Sequence, residues 1–137
     1  MFSHVFTSVK DFDRALAFYR PVMNCLGIAE RFCEADKPWA GWHSEGGGRP
    51  LFVICMPFDG QAHVAGNGQM VAFAAADRAM VRRAYQTALS AGGTCEGPPG
   101  LRPHYHANYY GAYFRDTEGN KLCVACHAPE PSDDRRS

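Results

Sequence analysis

Two stretches of this chain can be laid on one another at a nearly constant offset. His4 falls on Gln69, Asp13-Arg14-Ala15 on Asp77-Arg78-Ala79, Tyr19 on Tyr85 and Gly27 on Gly92 or Gly93, so the shift stays between 64 and 66 residues. A steady shift implies one supersecondary unit occurring twice, and this constrains the fold more than the propensity of any single segment. In the first copy Phe12, Ala15, Leu16, Tyr19, Val22, Met23 and Leu26 recur at helical spacing, with Asp11 or Asp13 as a start and Gly27 as a left-handed stop. Pro21 lies inside that pattern, where it removes a backbone donor, and predicts a kink or an interruption. In the second copy Val81, Ala84, Tyr85, Ala88 and Leu89 form the inner face of a helix over 77–91 that Gly92-Gly93 stops.

Strands read over 4–9, 28–34, 39–44 and 51–56 in the first copy. The second copy reads as strands over 69–75, 94–96, 111–115 and 121–126, with 97–110 irregular. The order is strand, helix, strand, strand, strand, twice. The polar segment 59–68 connects the copies, and 129–137 has no apolar anchor and is expected to fray. The expected organisation is one domain over 1–128, built from units 2–58 and 68–127.

A length of 137 residues suits one shared core better than two separate ones, because units of about 60 residues bury too little surface to be comfortable alone. Fourteen Lys plus Arg balance fourteen Asp plus Glu, which provides no overall field for nucleic acid or an anionic membrane surface. The longest apolar runs, 51–58 and 70–76, fall far short of a membrane span, and residues 1–10 lack the pattern of a secretory signal. A cytoplasmic location is therefore expected. In that reducing setting the six cysteines read as buried free thiols rather than a disulfide framework.

The first strand beginning His4-Val5, the helix DFDRALAFYRPVMNCLG, the segment GQMVAFAAADRAMV and the final hairpin YFRDTEGNKLCV resemble the vicinal oxygen chelate superfamily, which includes glyoxalase I, extradiol dioxygenases, fosfomycin resistance enzymes and bleomycin-binding resistance proteins. The resemblance covers residues 2–127. It implies an α+β fold in which two βαβββ repeats form a mixed sheet or half-barrel with a central cleft, and a homodimer. Metal-dependent members gather a first-strand His, two carboxylates and a His or Gln on one divalent ion. Carried onto this chain, the resemblance places His4 and Gln69 among those ligands, while the carboxylate positions fall near Val53 and on Cys123. A site of His4, Gln69 and Cys123 is most compatible with zinc, since a thiolate favours that ion over harder ones. The metal is equally allowed to be absent. Glyoxalase I activity itself is not expected, because Val53 cannot move a proton.

Residues 97–116 hold His104, Tyr105, His106, Tyr109, Tyr110 and Tyr113 beside Arg102, a density of rings with polar tips that suits either a pocket wall or an ordered loop packed on the sheet. With Trp39 from the third strand, Arg102, His104, His106, Tyr109 and Tyr110 are the candidate substrate-pocket residues. Cys123-Val124-Ala125-Cys126-His127 matches the haem-attachment pattern, yet residues three apart on a strand point to opposite faces, so haem is not expected. Gly46-Gly47-Gly48 is followed by neither a helix nor Lys-Ser/Thr, so no nucleotide is expected. Two functions remain: a metal-dependent lyase or dioxygenase-like enzyme acting on a small organic molecule, or a metal-free protein that binds or sequesters one.

Overall fold

The computed structural model describes residues 1–130. The first copy runs β1 (His4–Ser8), α1 (Phe12–Cys25), β2 (Glu30–Glu34), β3 (Trp39–Trp42) and β4 (Leu51–Cys55). The second runs β5 (Val71–Ala74), α2 (Arg78–Ser90), β6 (Thr94–Leu101), β7 (Tyr110–Arg115) and β8 (Lys121–Cys126). Each copy makes its own four-stranded mixed sheet, in the order β1-β4-β3-β2 and β5-β8-β7-β6, and neither closes into a barrel. β1 is parallel to β4 and β5 to β8, whereas the hairpin-linked strands are antiparallel. Among the described residues no helix is long and apolar enough to cross a membrane. The tail expected to fray over 129–137 lies, from residue 131 onward, outside the described residues.

Asp11 caps α1 by accepting the Arg14 N–H at 3.0 Å, and Asp77 caps α2 by accepting that of Met80 at 2.7 Å. Helix starts thus match at a shift of 66, as Tyr19 and Tyr85 do. Pro21 does not interrupt α1, which is continuous from Phe12 to Cys25. The proline removes the hydrogen bond to Ala17 O, but Phe18, Tyr19, Val22 and Met23 around it are all fully buried, and burial of that face outweighs one lost bond. β6 also corrects the sequence reading: the strand extends through Leu101 instead of ending at Glu96. It is an edge strand with register breaks between Cys95 and Gly97 and between Gly97 and Gly100, where Pro98 and Pro99 lose no ladder bond.

The helices and the inner faces of both sheets share one apolar core. Tyr19 packs on Phe52 with ring centroids 5.4 Å apart, Phe52 meets Phe73 of the other unit edge-on at 5.0 Å, and Phe18 reaches Phe114 at 6.3 Å. The β7–β8 turn fastens the second unit to the first. Tyr19 Oη donates to buried Asp116 at 2.5 Å, Asn120 Nδ2 donates to Ser8 O at 3.0 Å, and Glu118 Oε1 accepts the Lys10 and Asp11 N–H groups at 2.9 and 2.8 Å. All six cysteines are free, but only Cys123 and Cys126 are buried; Cys33 and Cys95 are exposed because they sit on the edge strands β2 and β6.

Candidate functional site

Alternation along β7 and β8 sorts their side chains. Tyr110, Ala112 and Phe114 face the core with Leu122, Val124 and Cys126, while Tyr113 pairs with Cys123 on the outer face of the second sheet. The loop between β6 and β7 folds back over that face, its base closed by the Arg102 N–H bonded to Tyr109 O at 2.8 Å. Glycines make the close approach. A Cβ on Gly111 would stand 3.0 Å from the Tyr109 ring, and one on Gly97 would stand 3.3 Å from the Arg102 guanidinium, so Tyr109 and Arg102 lie flat where other residues would hold them off.

The result is a short hydrogen-bonded chain of protonated groups. Tyr109 Oη lies 3.0 Å from Tyr113 Oη and 3.5 Å from Cys123 Sγ. Burial pushes the Cys123 thiol up, against the opposing pull of hydrogen bonds from Tyr109 and Tyr113. Burial likewise raises both phenols, Tyr109 most of all, and its bonds to Tyr113 and Cys123 raise it further. Around the chain, His104 packs tilted on Tyr105 at 4.3 Å, Tyr105 on Tyr109 at 4.9 Å, and His127 meets the Tyr109 ring at 5.3 Å. His106 Nε2 and His127 Nδ1 are 2.9 Å apart. Arg102 and Lys121 stand 5.4 and 5.7 Å from the Tyr113 ring centre.

Five of the residues expected from sequence therefore stand together: Arg102, His104, His106, Tyr109 and Cys123. The others do not join them. Tyr110 points to the opposite face, where Arg78 and Arg82 lie over its ring. Trp39 belongs to the first sheet, 4.7 Å from Phe32, with its indole N–H buried and, among the described residues, without a partner. His4 starts the outer face of the first sheet, exposed, with Nδ1 2.9 Å from Ser3 Oγ. Gln69 precedes β5, and its amide folds over Gly66. At the shift of 66 that the caps fix, Met70 and not Gln69 is the counterpart of His4. Tyr113, Lys121 and His127 were missed as site residues; the signal for Tyr113 was its alternation with Gly111 opposite Cys123. A separate cavity of about 880 Å³ opens between the two units, lined by Val5, Met23, Trp42, Phe52, Val71 and Phe73, and none of the expected pocket residues borders it.

A family model for the Glyoxalase/Bleomycin resistance protein/Dioxygenase superfamily matches residues 1–124. The chain belongs to that superfamily. Among solved structures it is similar to a glyoxalase/bleomycin resistance protein from Albidiferax ferrireducens T118, with 34% identity, a TM-score of 0.82, and 92% of this chain and 98% of the other covered. A glyoxalase/bleomycin resistance protein/dioxygenase family enzyme from Burkholderia phytofirmans PsJN shares the fold at 20% identity and TM-score 0.67, covering 92% and 98%. Lactoylglutathione lyase from Agrobacterium tumefaciens does so at 21% and 0.63, covering 92% of each chain. No curated protein matches the chain.

The glyoxalase superfamily is generally metal-dependent, so the donors of this member need testing against a divalent ion. Among the described residues no three His, Cys, Asp or Glu side chains group closely enough to share one. At the positions that the resemblance equates with ligands stand one imidazole (His4), an alkyl chain (Val53), a thioether (Met70) with an amide beside it (Gln69), and a buried thiol (Cys123). Hard divalent ions need charged oxygen donors, and this set has none, so it does not fit such an ion.

Proposed function

We propose that this chain is a lyase-type member of the glyoxalase superfamily that holds an oxygen of a small organic substrate with side-chain hydrogen bonds on the outer face of its second sheet. The observation that carries the reading is the chain Cys123–Tyr109–Tyr113, whose Cys123 lies on β8 at the position that the resemblance equates with a metal carboxylate. Preorganised donors aimed at an oxygen stabilise the charge that develops there when a neighbouring C–H bond breaks and its proton passes to solvent base, and one such donor is worth on the order of 100-fold or more in rate. The exposed apolar side chains Phe2, Phe6 and Met70 lie at or beside β1 and β5, each an edge strand of its sheet, and support a second copy of the chain as the partner that encloses the ligand.

The test is solvent deuterium exchange, followed by NMR, at the carbon next to the carbonyl in a panel of small hydroxyketones and oxoacids. Exchange that persists in chelator and falls about 100-fold in Tyr109→Phe supports the reading. Exchange that requires added zinc and vanishes in His4→Ala would move the chemistry to His4, Gln69 and Cys123, and iron-dependent oxygen uptake would make the chain a dioxygenase; either result overturns it.

A further inference from the structure

The hydrogen atoms around this site can be counted. Cys123, Tyr109 and Tyr113 carry one each, and two hydrogen bonds link them. Cys123 is fully buried, with Tyr109 Oη 3.5 Å from its sulfur. Either atom of each pair can donate; when the S–H points to Tyr109 Oη and the Tyr109 O–H to Tyr113 Oη, the Tyr113 O–H is directed out of the chain, and an acceptor placed there selects that arrangement. In the imidazole pair a backbone donor sets the order. His106 Nδ1 accepts the Asn108 N–H at 3.2 Å, so the proton of neutral His106 sits on Nε2 and is donated to His127 Nδ1, which leaves His127 with a free Nε2–H.

Two cations complete the face. Arg102 spends only two of its N–H groups on the chain, donating to Pro98 O at 2.8 Å and Leu101 O at 3.5 Å. Among the described residues neither Arg102 nor Lys121 forms an ion pair with an acidic group; the four salt bridges all lie elsewhere. Two charged donors, Arg102 and Lys121, thus stand beside Tyr113 with no acidic partner, amid aromatic rings. A ligand that carries acceptor oxygens meets several donors here.

We propose that the outer face of the second sheet binds the carboxylate of a small organic acid, with the free O–H of Tyr113, the free Nε2–H of His127 and the Arg102 guanidinium as its donors. This rests on the site reading above and names the substrate class. The discriminating probes are benzoate and benzamide, which share shape and differ in charge and acceptor count. Binding is followed by calorimetry and by the tyrosine ring shifts of the whole protein. Benzoate is expected to bind at least about tenfold more tightly than benzamide, as a charge-assisted hydrogen bond allows. Raising the salt concentration should narrow the gap, and Tyr113→Phe should weaken benzoate about tenfold and benzamide less. Equal affinity for the two probes, with shifts at Tyr109 and Tyr113, would overturn the carboxylate assignment and leave the site reading standing. Absence of binding by either probe, with no tyrosine shift, overturns both. Because the comparison of probes and the salt dependence use the wild-type protein, the result stands even if the Tyr113 variant fails to fold.

Discussion

Glu118 shows how one side chain can decide acid behaviour. Its carboxylate is buried and receives the Lys10 and Asp11 N–H groups, the Thr117 hydroxyl and the Arg14 guanidinium, whose Nε is 2.9 Å away. Burial alone pushes this carboxyl up, but Arg14 and the Asp11, Thr117 and Lys10 donors together outweigh it and hold it at about 2 against an ordinary 4.5. The folded value is the lower one, so its contribution is full above pH 4.5 and is lost as pH falls toward 2. That contribution is about 3 kcal/mol. Glu118→Gln should lower stability at pH 7 and flatten the acid limb of the denaturant midpoint between those two values; an acid limb as steep as that of the wild type would contradict the assignment. Sequence reading could not reach this residue, because its partners lie 107 and 108 positions away and no local pattern marks a carboxylate that caps another unit's backbone.

At the scale of elements, α1 carries an avoidable cost. Pro21 lies in its interior, half-buried, with the helix unbroken on both sides. Since packing already holds the backbone helical, Pro21→Ala should restore the missing hydrogen bond and raise stability by about 1–3 kcal/mol, read as a higher melting temperature. A lower one would mean that the proline's ring packing matters more than its lost donor. The helices were legible because their apolar spacing is long and regular, and each begins at an aspartate. β6 was less so. Gly97-Pro98-Pro99-Gly100 has the composition of a loop, and only pairing with β7 at an edge, where broken register is tolerated, makes it a strand. The candidate site was legible as a cluster of rings but not as a face: Tyr109 and Tyr110 are adjacent in sequence and end on opposite sides of the sheet, which depends on the register with β8. Likewise the choice between Gln69 and Met70 as the counterpart of His4 turns on one residue of offset, which the helix caps settle and the identity of the side chains does not.

The whole molecule joins two similar units through one core and leaves β1 and β5 as free sheet edges. Members of the superfamily bind small molecules and often form dimers, and Phe2 and Phe6, at 61% and 55% exposure, are large apolar side chains at the first of these edges. For the proposed pairing, sedimentation should give twice the chain mass of 15.1 kDa, and Phe6→Glu should return it to the single mass without unfolding the core, which that side chain does not enter. A wild-type protein that sediments as one chain at micromolar concentration would remove the partner and leave the substrate face to close by itself.

The contact of the β7–β8 turn with the first turn of α1 also orders events during synthesis. A ribosome makes Asp11 and Arg14 long before it makes Glu118, and at a few to about twenty residues per second the delay is on the order of ten seconds. Through that interval the first unit lacks both the carboxylate that seats its N-terminal turn and the Asp116 that receives the Tyr19 hydroxyl. The start of α1 is thus seated by the last hairpin to emerge, once residues 116–120 have left the exit tunnel.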